Sequence, residues 1–259
     1  MSAAGQPRQE REVVIKVRQL VNAFGSQVLH DHLDLDVYRG EVLGVVGGSG
    51  TGKSVLLRSI IGLNEITSGT IEVFGRNTAH LNEAQWRELE QRWGVLFQEG
   101  ALFSSQTVAE NIQVPMREYL NMPQELMNEI ASMKISMVGL PELAASKQPS
   151  ELSGGMKKRA GLARALALDP EIVFLDEPTA GLDPISANMF DTLVKDLQKS
   201  LNLTVFMVTH DLDTLRATTD RIAVLVDHKI VVGTMDELRK NPHPWIQEYF
   251  SGPRGRAAA

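Results

Sequence analysis

The sequence predicts an α/β fold with a mainly parallel sheet, a small antiparallel β layer and a helical insertion. Three observations predict it. Short apolar runs at residues 42–46, 172–175 and 204–208 alternate with segments of helical periodicity, as strands buried on both faces by crossover helices do. The early segments 13–17 and 33–37 instead alternate apolar and charged residues, the pattern of strands with one solvated face. Between residue 98 and about residue 145 the chain becomes rich in Met, Glu and Leu at helical spacing, so a helical block interrupts the α/β alternation.

Composition sets the outer limits. At 259 residues and 43% apolar content the chain can bury a core the size of one large α/β domain, with room for a subdomain. A net charge of −6 gives no support to a nucleic-acid partner. With no cysteine there are no disulfides, a zinc site is disfavoured, and a reducing cytoplasm is the expected setting. No apolar run approaches the roughly 18 residues of a membrane helix. The polar residues 1–11 lack the apolar stretch of a signal peptide. Any membrane role is therefore expected through a partner. No internal repeat is visible.

Taken in order, residues 1–11 read as a flexible N-terminus and 13–17 as a strand. Phe24-Gly25 sits in a turn, and Leu33-Asp34-Leu35-Asp36-Val37 is a half-exposed, antiparallel strand. Tyr38-Arg39-Gly40-Glu41 turns the chain into the buried strand 42–46, and residues 55–61 have helical spacing. Ser68-Gly69 reads as a turn before a strand at 70–74, closed by Gly75. Residues 86–93 read as a charged helix and 95–97 as a short strand ending in Gln98. Pro115, Pro123 and Pro141 are expected to break the helical insertion. Leu152-Ser153-Gly154-Gly155 opens a basic helix over 156–168. The strand 172–175 ends at Asp176-Glu177-Pro178. A helix follows over 185–199 with Pro184 in its first turn, then a strand over 204–208 ending at Thr209-His210-Asp211. Residues 222–226 and 230–232 form a hairpin, 235–240 and 245–250 are helical pieces, and 252–259 reads as a disordered tail. The expected organisation is a core built from 12–97 and 161–240, a helical subdomain over 98–160, and a C-terminal piece over 241–259.

The chemistry begins at Gly47-Gly48-Ser49-Gly50-Thr51-Gly52-Lys53-Ser54. It lies between a buried strand and a helix, which is the context of a phosphate-binding P-loop. Glycines let successive backbone N–H groups turn inward around a polyphosphate, and the helix N-terminus adds partial positive charge. Lys53 is placed to reach the β- and γ-phosphates, and the Ser54 hydroxyl to ligate Mg²⁺. Asp176, at the end of a buried strand, is a second candidate for holding Mg²⁺. Glu177 beside it is placed to polarise or deprotonate an attacking water.

These motifs and their order resemble the ATP-binding-cassette (ABC) ATPases over about residues 13–232. The P-loop is followed by Gln98, then Leu152-Ser153-Gly154-Gly155, then Asp176-Glu177, then Gly181-Leu182-Asp183, then His210. The resemblance implies a P-loop NTPase fold, ATP hydrolysis with ATP and Mg²⁺, and an ATP-sandwich dimer with a second copy of the chain. It implies further roles. Phe24 would stack on adenine, with a core phenylalanine as the alternative. Gln98 would touch Mg²⁺ or the attacking water and hinge the insertion. Ser153, Gly154 and Gly155 would cap the γ-phosphate bound to the other copy. Asp183 would lie at the subunit interface, and His210 would contact the γ-phosphate. Two positions depart from the usual pattern, Met156 for glutamine and Ala180 for serine. Neither removes a phosphate donor or Glu177, so activity is expected to survive.

Within the family, Leu96-Phe97-Gln98-Glu99-Gly100-Ala101-Leu102-Phe103 and the Met156 variant of the signature resemble ATPases that serve MlaE-type permeases and MCE-domain lipid-binding proteins. That implies movement of phospholipid or another lipid between bacterial membranes, with the chain peripheral on the cytoplasmic face of the inner membrane. The alternative is an importer ATPase for another substrate class. A ribosome-acting relative would carry two cassettes and a DNA-repair relative a long coiled-coil insertion; this chain has one P-loop and a short, proline-interrupted insertion. The apolar segment Gly100-Ala101-Leu102-Phe103 is expected to meet the permease's coupling helix or to be buried within the insertion. Lys157-Lys158-Arg159 reads as a solvated helix face rather than a nucleic-acid patch. Trp245 and Tyr249 share a helical face that packs on its own domain or meets another subunit.

Overall fold

The computed structural model describes residues 11–25, 27–98 and 100–251. Most of the polar N-terminal stretch, the tail at 252–259, Ser26 and Glu99 lie outside the described residues. The chain begins with β1 (Val13–Phe24), β2 (Gln27–Tyr38), β3 (Val42–Gly47), α1 (Lys53–Ile60), β4 (Ser68–Val73) and the short β5 (Arg76–Asn77). It continues through α2 (Glu83–Glu90), β6 (Trp93–Leu96), α3 (Val108–Tyr119), α4 (Gln124–Met137) and α5 (Gly154–Ala165). It closes with β7 (Ile172–Asp176), α6 (Pro184–Leu201), β8 (Thr204–Val208), α7 (Leu212–Thr218), β9 (Arg221–Val226), β10 (Lys229–Gly233), α8 (Met235–Arg239) and α9 (Pro244–Ser251).

The strands form two sheets, one ordered β2-β1-β4-β5 and the other β10-β9-β3-β8-β7-β6. The first is antiparallel throughout. The second is parallel except for the β9–β10 hairpin. Alternate residues of its strands serve different cores. Ile172, Phe174, Phe206 and Val208 face the antiparallel sheet and α1, whereas Val173, Leu175, Val205 and Met207 face the helices. That two-sided burial is why these strands read as unbroken apolar runs. In β2 the inward apolar residues are Leu33, Leu35 and Val37, with His30 buried ahead of them, so the strand alternates over 33–37.

Register decides where the chemistry falls. Val45 of β3 and Asp176 of β7 both align with Val208 of β8. The P-loop, Asp176-Glu177 and Thr209-His210 therefore leave the sheet at one level, along its carboxyl edge, where open α/β sheets bind ligands.

The structure corrects several local expectations. Pro115 does not break the insertion; it lies inside α3. A capping box of Thr107 with Glu110 starts this helix, and Val108, Ile112 and Met116 bury its inner face. That burial outweighs a cost of about 3 kcal/mol for an internal proline. Pro123 and Pro141 do sit at helix starts. Trp93 begins β6 rather than ending the preceding helix, and it packs edge-on against Phe174. Ser68-Gly69 belongs to β4, with Ser68 paired to Val21. The basic helix starts two residues earlier than expected, at Gly154, because Ser153 caps it. No helix among the described residues is long and apolar enough to cross a membrane.

Candidate functional site

Glycine is required at Gly52 for two reasons. Its φ is +95°, and a Cβ there would lie 2.6 Å from Nε2 of His30. Gly52 is also the N-cap of α1 and supplies no side-chain cap, so the first N–H groups of the helix are left for an anion. The Nζ of Lys53 donates to the Gly47 and Gly48 carbonyls, each at 2.9 Å, which folds the lysine back along the loop. Burial lowers its pKa, and the Glu177 and Asp176 carboxylates oppose that shift. The Ser54 hydroxyl donates to Asp176 at 3.0 Å. Ser49 and Gly50 are exposed at the loop's tip, with Thr51 donating its hydroxyl to the Gly48 carbonyl.

His210 and Glu177 are brought together across 33 residues of sequence, with Nδ1 of His210 2.8 Å from a Glu177 carboxylate oxygen. The imidazole is 69% exposed and the carboxylate only 14%, so the pair closes one side of the site with its wetter member outward. Glu177 adopts φ +50°, and its N–H donates to the Val208 carbonyl at 2.8 Å. Gln98 is exposed just after β6. Phe24 is 53% exposed at the end of β1, so it is not a core phenylalanine.

The third group lies apart. Ser153 caps α5 by accepting the Met156 N–H at 3.3 Å. Gly154 and Gly155 face Leu182 and Ser186, since a Cβ on either would come within 4 Å of them. Asp183 caps α6, accepting from the N–H groups of Ile185 and Ser186. The Ser186 hydroxyl and those amides hold its carboxyl below the usual carboxylate range. Among the described residues, no hydrogen bond joins Ser153, Gly154 or Gly155 to residues 47–54. Within one chain the site is thus a P-loop, two acids and a histidine, without the signature glycines.

Three residues at the site escape sequence reasoning. His30 is fully buried under the P-loop, its Nδ1 2.9 Å from Oδ1 of Asn22. Burial lowers its pKa to about 4, so it is neutral near pH 7 and puts no fixed positive charge beneath the phosphates' cradle. Tyr249 donates its hydroxyl to the His210 carbonyl at 2.9 Å and stacks on Trp245 with ring centroids 4.9 Å apart. The aromatic face of α9 therefore packs on its own domain. The third, Lys158, is buried rather than solvated, against expectation for a basic run. Its ammonium donates to the carbonyls of Gln98 and Glu177. A capping serine and helical spacing are visible in sequence; which loops a lysine meets is not.

The donor set suits a polyphosphate carrying a hard divalent cation. An uncapped helix start and Lys53 would meet the anion, and the Ser54 and Asp176 oxygens would meet the cation. Among the described residues there is no cluster of three or more His, Cys, Asp or Glu able to hold a metal alone.

Comparison with known proteins points the same way. The family model described as ABC transporter matches residues 30–180. The chain is 38% identical to the intermembrane phospholipid transport system ATP-binding protein MlaF of Haemophilus influenzae over 240 residues, covering 92% of this chain and 90% of that protein. It is 37% identical to the probable ribonucleotide transport ATP-binding protein mkl of Mycobacterium leprae, covering 96% of this chain and 72% of that one. Among solved structures it resembles a dimeric post-hydrolysis state of the ATP-binding cassette MJ0796 bound to ADP and Pi. The TM-score is 0.77 and the identity 28%, over 85% of this chain and 98% of the other.

Proposed function

The chain belongs to the ABC transporter family, and from that premise we propose that it is the ATPase subunit that powers phospholipid movement between bacterial membranes. It works as a dimer on the cytoplasmic face of the inner membrane, beneath an MlaE-like permease joined to an MCE-domain protein. One observation carries the transport reading: the likeness to MlaF runs through 92% of this chain and 90% of that protein.

In this reading Phe24 stacks on adenine, and Gly47, Gly48, Ser49, Gly50, Thr51 and Gly52 wrap the phosphates with backbone N–H groups. Lys53 leaves the Gly47 and Gly48 carbonyls it now holds and turns to the β- and γ-phosphates. Ser54, Asp176 and Gln98 would hold Mg²⁺, which when bound would neutralise phosphate charge. Glu177 accepts a proton from the attacking water. His210 steadies that carboxylate through one oxygen and contacts the γ-phosphate. Ser153, Gly154 and Gly155 come from the other copy, consistent with their lying apart from the P-loop of their own chain, and Asp183 lies at the interface. Positioning and charge neutralisation supply most of the rate in phosphoryl transfer.

In this reading the permease docks at a groove of about 260 Å³ between the core and the insertion, whose lining includes Leu63, Phe97, Tyr119 and Arg164. Leu63 in that lining is exposed, as is Phe103 in the neighbouring loop, whereas Leu102 packs into the helical core.

The second reading, another substrate class, is favoured by the mkl likeness, whose name specifies ribonucleotides. The two are separated by purifying the tagged chain from its own membranes and identifying bound proteins and lipids by mass spectrometry. A multi-span permease, an MCE protein and enriched phospholipid are expected. A permease without an MCE protein, stimulated by ribonucleotides and not by phospholipid, would overturn the lipid reading.

A further inference from the structure

The basic run on α5 contains one cation that does not face water. Lys158 is 5% exposed, and an ammonium so placed costs several kcal/mol of desolvation unless polar groups receive it. Two of the groups that receive it are main-chain carbonyls, at Gln98 and, at 3.0 Å, at Glu177. They belong to separate segments. Gln98 follows β6, Glu177 follows β7, and Lys158 itself stands one turn into the helix that Ser153 caps. One side chain thus joins three pieces that the proposed reaction uses.

The bond to Glu177 matters because of that residue's backbone. A non-glycine residue at φ +50° is held there only if its surroundings determine it. Here the N–H is fixed by Val208 of β8 and the carbonyl by Lys158. The direction of the Cα–Cβ bond, and so the position of the carboxylate, follows from those two anchors. The same helix carries a second cation onto the loop after β6. Arg164 donates to the carbonyls of Ala101 at 2.8 Å and Gly100 at 3.1 Å. The loop that starts at Gln98 is therefore tied to α5 at two levels.

We propose that Lys158 is a positioning residue. Its ammonium sets the Glu177 carboxylate and the Gln98 hinge in a fixed relation to the helix that presents Ser153, Gly154 and Gly155. The inference rests on the roles proposed above for Glu177, Gln98 and the signature. In the dimer the signature of one copy serves the site of the other, while Glu177 serves the site of its own copy. Lys158 is then a direct link inside one chain between the two sites, so closure over one nucleotide bears on the geometry of the base at the other.

The test uses the complex purified from native membranes through a tag on this chain. The readouts are kcat and KM for ATP, the dissociation constant of a fluorescent ATP analogue, and the thermal unfolding midpoint. Lys158→Met is expected to lower kcat by about tenfold to a hundredfold, the scale of a misplacement near 1 Å. KM and nucleotide affinity should stay within about twofold, because the P-loop is intact. Lys158→Arg keeps charge and donors and should recover kcat to within about threefold of wild type, although its fork is not a strict substitute for an ammonium. If Lys158→Met yields no folded complex, Lys158→Gln, which keeps an N–H donor without the charge, is measured in its place with the same expected split. A kcat within about twofold of wild type in the neutral variant overturns the inference. So does a parallel fall of kcat and nucleotide affinity, or an arginine variant no better than the neutral one. The readout is hydrolysis, so loss of lipid movement alone bears on the transport reading and not on Lys158.

Discussion

Glu177→Gln is expected to lower ATP turnover by about 10²- to 10⁴-fold, the contribution of a positioned general base, while ATP still binds. Glutamine keeps the shape and the ability to meet His210, whose Nδ1 lies 2.8 Å from the carboxylate, but it cannot take a proton from water. The backbone anchors at Val208 and Lys158 are untouched, so the side chain should remain in place. The dimer is then expected to close and stall, seen as nucleotide retained after gel filtration with little phosphate released. Turnover within about threefold of wild type would remove Glu177 from the chemistry.

Lys53→Ala is expected to abolish hydrolysis by an earlier failure. The ammonium is half-buried and set between the loop carbonyls and the carboxylates of Asp176 and Glu177. With phosphates present it would be their nearest fixed cation. Removing one partner of such a charge contact costs about 2–5 kcal/mol, or roughly 30- to several-thousandfold in affinity. The two variants therefore differ in kind: Glu177→Gln holds ATP without turning it over, and Lys53→Ala does not hold it. Titration with a fluorescent ATP analogue separates them, and wild-type affinity in Lys53→Ala would take the P-loop out of the mechanism.

The site was legible wherever its chemistry is local in sequence. Gly47 to Ser54 carries its strand and helix on either side, and Asp176-Glu177 sits at the end of a run whose burial on both faces shows as unbroken hydrophobicity. The motif order assigns Ser153 and Asp183 to a dimer interface, and the structure adds a plainer duty, since each caps the helix it precedes. What escaped depends on folds of the chain that no window contains. Lys158 reads as solvent-facing because its neighbours Lys157 and Arg159 are basic, but the carbonyl it meets at Gln98 is 60 residues away. Tyr249 reaches His210 across 39 residues. His30 lies ahead of the alternating stretch 33–37 and carries no local signal; only the fold lays β2 against Gly52. Pro115 misleads in the opposite direction: its local cost is real, and only the buried face of α3 outweighs it.

The central claim is that each ATP is hydrolysed between Lys53 and Glu177 of one copy and Ser153 of the other. Linked heterodimers measured with the permease present test it most directly. With Lys53→Ala and Ser153→Arg on the same chain, one site lacks its lysine and the other faces a spoiled signature, so both are damaged. With Lys53→Ala on one chain and Ser153→Arg on the other, both lesions fall in one site and a complete site remains. The account predicts residual ATP hydrolysis in the second arrangement and almost none in the first. Equal or greater hydrolysis with both lesions on one chain would contradict it.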